Sequence, residues 1–203
     1  MNFGVFLVAF LVLASAERFR ERQFCHRAVR GERRMAWSYT VLHPIHIALY
    51  IMTGVEYFWL RRDISWWVTT TGLVMFALSV MVRLTAIRAL GRFWSLHLEI
   101  REEHKLVTGG IYAYVRHPAY AAIMLEVISI PLVGNSYYTL GVVACVYLPI
   151  LLLRWRLEER EMIGKFGKVY VDYIKQVPAF VPWRYFAVHA TEGVKSGTNT
   201  QAR

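Results

Sequence analysis

The sequence predicts an all-α integral membrane protein of about five transmembrane helices, with a compact cytoplasmic loop and an amphipathic helix toward the C-terminus. Three observations predict it. Of 203 residues, 56% are hydrophobic and only 19% charged, against about 25% charged in a soluble domain. The apolar residues gather into five runs, and the basic residues between the runs fall on alternate loops.

The runs cover residues 3–16, 36–60, 64–82, 119–133 and 137–153. About 20 helical residues cross the roughly 30 Å hydrocarbon layer, so the second and third suffice by length and the others are short spans. Ala14-Ser15-Ala16 has the small residues of a signal-peptide cleavage site. No Lys or Arg precedes the first run, however, and the arginines after it resist export, which favours a retained span. Segment 17–34 holds Arg18, Arg20, Arg22, Arg27, Arg30, Arg33 and Arg34, and 83–116 and the chain after 153 are basic again. The other side carries Arg61, Arg62, Asp63 and the turn Gly134-Asn135-Ser136. Lys and Arg accumulate on the cytoplasmic side, so the N-terminus is expected outside and the C-terminus inside. Residues 1–183 form one membrane domain, and 184–203 are a polar tail of disordered type.

Composition also excludes. A net charge of +10 fits nucleic acid only where the basic residues share a solvated face, and here they alternate with apolar runs. Cys25 and Cys145 lie too far apart, in surroundings too different, to make a disulfide framework or thiolate metal site. His43 and His46 make half a metal site with too few further ligands to complete it, so no metal is expected. Ionisable residues at membrane depth face a cavity or a partner. His43 and His46 suit interhelix hydrogen bonds or a lipid tunnel, Glu126 suits tunnel lining and substrate contact, and Glu56 suits snorkelling to the interface.

Chemistry can sit in the cytoplasmic segments. Trp94, Leu96, Leu98 and Ile100 alternate as in a short extended stretch, and Thr108-Gly109-Gly110 permits a tight turn. Pro118 suits the first turn of the fourth span and biases His117 away from helix. Arg116 and His117 then flank a helix N-terminus, which favours an anion. After the fifth span, Arg154 and Glu158 are four apart and share a helix face, as a simple ion pair or as ligand contacts. Apolar and aromatic residues from Ile163 to Ile174 recur at helical spacing, which predicts an amphipathic helix closing over the loop or lying on the membrane.

These segments resemble the isoprenylcysteine carboxyl methyltransferase family, which shares a C-terminal motif with phospholipid N-methyltransferases. The resemblance rests on His104-Lys105-Leu106-Val107-Thr108-Gly109-Gly110-Ile111-Tyr112, Arg116-His117-Pro118-Ala119-Tyr120, Glu158-Glu159, Phe166-Gly167, Tyr170, Tyr173 and Val177-Pro178, in order over about the C-terminal half. It implies a membrane enzyme using S-adenosylmethionine, with the cytoplasmic loop as a cofactor-binding loop. Cofactor contacts carry over to His97, His104, Lys105, Leu106, Val107, Tyr112, His117, Pro118, Ala119, Tyr120 and Glu158, and Arg154 faces the methyl acceptor.

The implied partners are the bilayer and a lipophilic or lipidated substrate, with a carboxylate oxygen as acceptor. A carboxylate is ionised near neutral pH, so no general base is needed. Arg154, assisted by Arg116, would hold its negative end. A phenol or amine acceptor would instead need a proton acceptor, for which Glu159 and His117 are candidates. The alternatives are phospholipid N-methylation, lipid-phenol O-methylation, an NADPH-dependent membrane sterol or enone reductase, and a non-enzymatic membrane adaptor. The reductase group shares an Arg-His-Pro-x-Tyr element but usually carries Arg-Asp-Glu late in the chain, where this sequence has Glu158-Glu159-Arg160-Glu161-Met162.

Overall fold

A computed structural model of the chain describes residues 2–25, 32–34, 36–60, 63–91, 98–100 and 106–185. Its helices are α1 (Phe3–Cys25), α2 (Ala36–Leu60), α3 (Trp66–Leu90), α4 (Pro118–Val133), α5 (Tyr137–Val142), α6 (Leu148–Phe166) and α7 (Lys168–Gln176). Residues Val143–Tyr147 are a π-helical turn that joins α5 and α6 into one rod. Two three-residue strands, β1 (Glu32–Arg34) and β2 (Leu98–Ile100), pair antiparallel with Arg33 opposite Glu99. The ribbon ties the segment after α1 to the loop after α3, and β2 falls within the expected extended stretch.

The rods Trp66–Leu90 and Tyr137–Phe166 are long and apolar enough to cross a membrane, with mean hydropathies of 1.9 and 1.7. Between them α4 is apolar but shorter, at 16 residues. The outward faces carry apolar side chains such as Val12, Leu13, Ile51, Val74 and Leu153. Exposed Trp59, Trp66, Trp67 and Tyr138 gather where α2 ends and α3 and α5 begin. Indole and phenol rings at helix ends are the side chains that headgroup layers favour.

α3 and α4 make the most extensive helix contact, and Gly72 permits it. A Cβ there would lie 2.7 Å from the Val133 nitrogen and 2.9 Å from the Ser129 carbonyl oxygen. On its other side α4 packs into an apolar core of Leu42 and Leu49 from α2, Tyr120 and Val127, and Val143, Tyr147 and Leu151 from the long rod. The π turn has a local cause. Pro149 has no N–H to give the Cys145 carbonyl, and the Leu148 N–H reaches back five residues to Val143.

Three expected spans are longer than their apolar runs, two of them for one physical reason. α1 continues from 16 to Cys25 and α3 from 82 to Leu90 because charges that look like loop residues are paired inside the bundle. Arg18 Nε and Nη2 each lie 2.8 Å from an oxygen of Glu126, and Arg18 Nη1 lies 2.7 Å from Glu21. Arg83, only 2% exposed, bonds the same Glu126. Tyr50 donates to Glu126 at 2.8 Å, and His46 Nε2 lies 3.3 Å from it. Burial of isolated charges is prohibitive, but two arginines against two carboxylates are neutral as a set. Glu126, expected in a substrate tunnel, is instead fully enclosed, with its oxygens taken by α1, α2 and α3. Arg18 and Arg83 are therefore structural charges of the bundle. With Leu7 and Ala14 fully buried as well, α1 is a built-in helix of the bundle. The third extension is α6, which runs from the bundle to Phe166.

The opposite end is closed by a polar knot. Glu56 accepts from the backbone N–H groups of Tyr138 and Thr139 at 3.0 and 2.8 Å, so it caps α5 from a neighbouring helix and does not snorkel. Asn135, at φ +54, accepts from the Ser65 N–H and donates to Thr69 Oγ1, and Ser136 donates to the Thr53 carbonyl.

Candidate functional site

The site lies at the other end of α4, where its first turn meets the end of α6 and the segment after α7. Pro118 is the first helical residue, and His117 before it is non-helical at φ −126, ψ 60, as the residue before a proline should be. The N–H groups of Arg116 and His117 donate to the carbonyls of Pro178 and Ala179, both at 2.9 Å. Those two donors precede the helix, whose own first-turn N–H groups are those of Ala119 and Tyr120. Gly167, at φ +56, makes the sharp turn that returns α7 over the loop.

The two acids of α6 take separate partners. Glu158 accepts the Tyr120 hydroxyl at 2.5 Å. Glu159 pairs with Arg116 Nη2 at 2.9 Å and lies 3.1 Å from His117 Nε2. Arg154, one turn earlier, places its guanidinium carbon 6.0 Å from the centre of the Tyr120 ring. The His117 ring is boxed by Tyr120 at 5.6 Å and by Trp155 and Phe180, each at 6.3 Å. Trp155 and Phe180 meet edge to face at 4.8 Å.

α7 supplies a third wall. Tyr170, Tyr173 and Val177 form a small core on which Leu106 packs. Tyr173 donates to the Tyr112 carbonyl at 2.5 Å, and Tyr170 places its hydroxyl 3.4 Å from His117 Nε2. Burial pushes the Tyr173 hydroxyl up to about 12. Burial, with the Glu158 carboxylate adding to it, raises Tyr112 well above the ordinary phenol range, and burial with the Glu159 charge does the same for Tyr170. All three are neutral donors at physiological pH.

Arg116 carries the clearest opening for a ligand. It is 9% exposed, and its Nε and Nη1 atoms have no hydrogen-bond partner among the described residues. A buried guanidinium leaves donors unmet at substantial cost, so an acceptor oxygen belongs beside it.

The structure therefore brings together Tyr112, Arg116, His117, Pro118, Ala119, Tyr120, Arg154, Glu158 and Glu159, with Leu106 and Val107 in the adjoining segment. His97, His104 and Lys105 lie outside the described residues, as does the tail beyond 185. Glu126 sits two turns along α4, in the ion cluster. Tyr170 and Tyr173, motif residues of the resemblance, wall the site together with Trp155 and Phe180, which the sequence reading did not single out. The available signal for the tyrosines was their spacing of three on one face of an amphipathic helix.

Residues 71–164 match the isoprenylcysteine carboxyl methyltransferase family. The chain is 30% identical over 171 residues to protein-S-isoprenylcysteine O-methyltransferase B of Arabidopsis thaliana, covering 77% of this chain and 83% of the relative. It is 31% identical over 140 residues to the Mus musculus protein-S-isoprenylcysteine O-methyltransferase, covering 62% of this chain and 45% of the relative. Its fold is similar to that of a solved eukaryotic intramembrane Ras methyltransferase, with a TM-score of 0.54, 24% identity, and coverage of 73% of this chain and 53% of that one. The chain thus spans about half the length of the mouse relative and of the solved protein.

Proposed function

The chain belongs to the isoprenylcysteine carboxyl methyltransferase family, and we propose that it transfers a methyl group from S-adenosylmethionine to the carboxylate of a lipophilic acceptor, of which a prenylated cysteine is the simplest. In this reading α1, α2, α3, α4 and the α5–α6 rod are the five spans, with the N-terminus outside and the site on the cytoplasmic side. The basic residues of the loops on that side support the orientation.

The residues present fit the cofactor. Its carboxylate, ammonium and ribose hydroxyls need donors and acceptors, and its adenine needs flat apolar walls. Arg116 offers unmet buried donors, Glu158 and Glu159 offer carboxylate oxygens, and His117, Trp155 and Phe180 offer ring faces. Leu106, Val107, Tyr112, Pro118, Ala119 and Tyr120 complete the contacts, with His97, His104 and Lys105 assigned by family position. When bound, S-adenosylmethionine supplies a methyl group on a positively charged sulfur that leaves as a neutral thioether.

The chain's residues then have three tasks. Arg154, with Arg116 assisting, holds the acceptor carboxylate by charge-assisted hydrogen bonds. Glu158, held by Tyr120, fixes the cofactor's polar end. α7 and the Val177–Phe180 segment exclude water, which strengthens these contacts and protects the sulfonium. A carboxylate needs no deprotonation, so Glu159 serves by holding Arg116 and His117; for a phenol or amine it would be the proton acceptor.

The unmet Nε and Nη1 donors of buried Arg116, whose Nη2 is held by Glu159 of α6, carry this reading. Calorimetry on detergent-purified protein tests it: saturable binding of S-adenosylmethionine and none of NADPH is expected. Binding of NADPH alone would point to the reductase, and binding of neither by folded protein would leave an adaptor.

A further inference from the structure

Trp155 of α6 carries a polar atom that nothing in the chain satisfies. Its indole Nε1 is buried and has no hydrogen-bond partner among the described residues. Glu159, one turn further along, is the carboxylate that shares its side of the helix, but Glu159 bonds to Arg116 and His117 instead. A buried donor left unmet costs at least as much as a lost hydrogen bond, so an acceptor atom from outside the chain belongs at this N–H. An indole can only donate, and its partner must therefore bring a free lone pair.

The position of Trp155 says which ligand supplies that atom. The exposed residues of the rod change here from apolar, at Leu152 and Leu153, to charged, at Arg156 and Arg160, so Trp155 lies at the depth where hydrocarbon gives way to headgroups. Trp59, Trp66 and Trp67, at the other interface, are 83, 63 and 87% exposed. Trp155 instead packs inward, 4.8 Å from Phe180 and 6.3 Å from His117 between ring centres. Phe180 is fixed there because the carbonyls of Pro178 and Ala179, just before it, accept from the N–H groups of Arg116 and His117. Both rings also pack on the apolar core of α2, α4 and the rod, so the pair stands between that core and the site. S-adenosylmethionine is polar and arrives from water, whereas an acceptor with a lipid chain enters from the membrane side, past this pair.

We propose that Trp155 contacts the methyl acceptor, donating its indole N–H to an acceptor oxygen beside the Arg154 guanidinium, and that this contact selects carboxylates over amines. The proposal deepens the methyltransferase reading and rests on it. A carboxylate has two oxygens and no hydrogen at neutral pH, so it can take the guanidinium and the indole N–H together. A lipid amine is protonated there, presents only donors, and meets two donors in Arg154 and Trp155.

The test compares wild type with Trp155→Phe, which keeps a ring face and removes the N–H, and Trp155→His, which keeps a ring N–H in a smaller side chain. Three readouts are needed at about pH 8, where imidazole is neutral: steady-state kinetics with a farnesylated cysteine, inhibition by a farnesyl thioether that lacks the carboxylate, and calorimetric affinity for S-adenosylhomocysteine. Trp155→Phe should raise KM for the acceptor about tenfold and change kcat by less than about threefold, the size of one lost hydrogen bond to a charged group. Affinities for the carboxylate-free thioether and for S-adenosylhomocysteine should stay within about twofold of wild type, and Trp155→His should fall between wild type and Trp155→Phe. Wild-type kinetics in Trp155→Phe would overturn the proposal. So would equal weakening of the acceptor and the thioether, the pattern of packing alone, or a parallel loss of S-adenosylhomocysteine affinity, the pattern of an indole that serves the cofactor. Absence of turnover in wild type would instead refute the methyltransferase reading, and the contact proposed for Trp155 with it.

Discussion

Replacing Glu126 with glutamine should be the most damaging single isosteric change in this protein. The carboxylate is fully buried and receives Arg18 through two nitrogens, Arg83 and Tyr50, with His46 adjacent. Glutamine keeps the shape but removes the charge and turns one acceptor oxygen into a donor that meets guanidinium donors. Arg83, at 2% exposure, cannot reach water, and Arg18, whose side chain is 20% exposed, can do so only in part. Breaking a buried ion pair from one side costs about 3–5 kcal/mol. For a chain of this size, each kcal/mol shifts the melting temperature by roughly 2–4 °C, so a fall of about 10 °C is expected. The assay is thermal unfolding in one detergent at one scan rate, with Arg18→Ala as the milder comparison. A Glu126→Gln protein that melts within about a degree of wild type would refute the reasoning, because it would mean that the guanidiniums find other partners at no cost.

Other expectations follow from the same geometry. Glu158→Ala should weaken S-adenosylmethionine binding by at least about tenfold in calorimetry, because it removes a charged acceptor. Arg154→Ala should leave that affinity near wild type while lowering kcat/KM for the acceptor by about ten- to a hundredfold. Gly72→Ala should destabilise by about 1–3 kcal/mol in thermal unfolding, because its Cβ would meet the α4 backbone at 2.7 and 2.9 Å. Glu56→Ala should cost about 1–2 kcal/mol as a lost helix cap, with no change in cofactor affinity, since it sits at the far end of the bundle.

What the sequence disclosed and what it withheld divide along a physical line. The positions of the apolar helices follow from hydropathy, which is local. Pro118 marks the start of α4 because its ring constrains its own backbone and that of His117, again a local effect. Glu158 and Glu159 stand out because two acids at a bundle exit have no topological use. The helix extensions were hidden, because Arg18 and Arg83 look like loop charges until Glu126 is seen between them. Pairing across 108 and 43 residues of sequence leaves no periodic trace. The same long separation hid Glu56 as the cap of α5, and it hid the backbone bonds from Pro178 and Ala179 that spend the donors before α4. Tyr170 and Tyr173 were visible as a helical stripe, but only the return of α7 at Gly167 shows that the stripe faces the site.

The central claim is methyl transfer to a carboxylate, and the most direct measurement is incorporation of the labelled methyl group of S-adenosylmethionine into a farnesylated cysteine by purified protein in lipid. Mild base then hydrolyses the product. The expected result is saturable, protein-dependent label in the lipid fraction that base releases as volatile methanol, as a methyl ester requires. Label that survives base would place the methyl on a phenol or amine, and no incorporation into any lipophilic carboxylate by folded, cofactor-binding protein would contradict the claim.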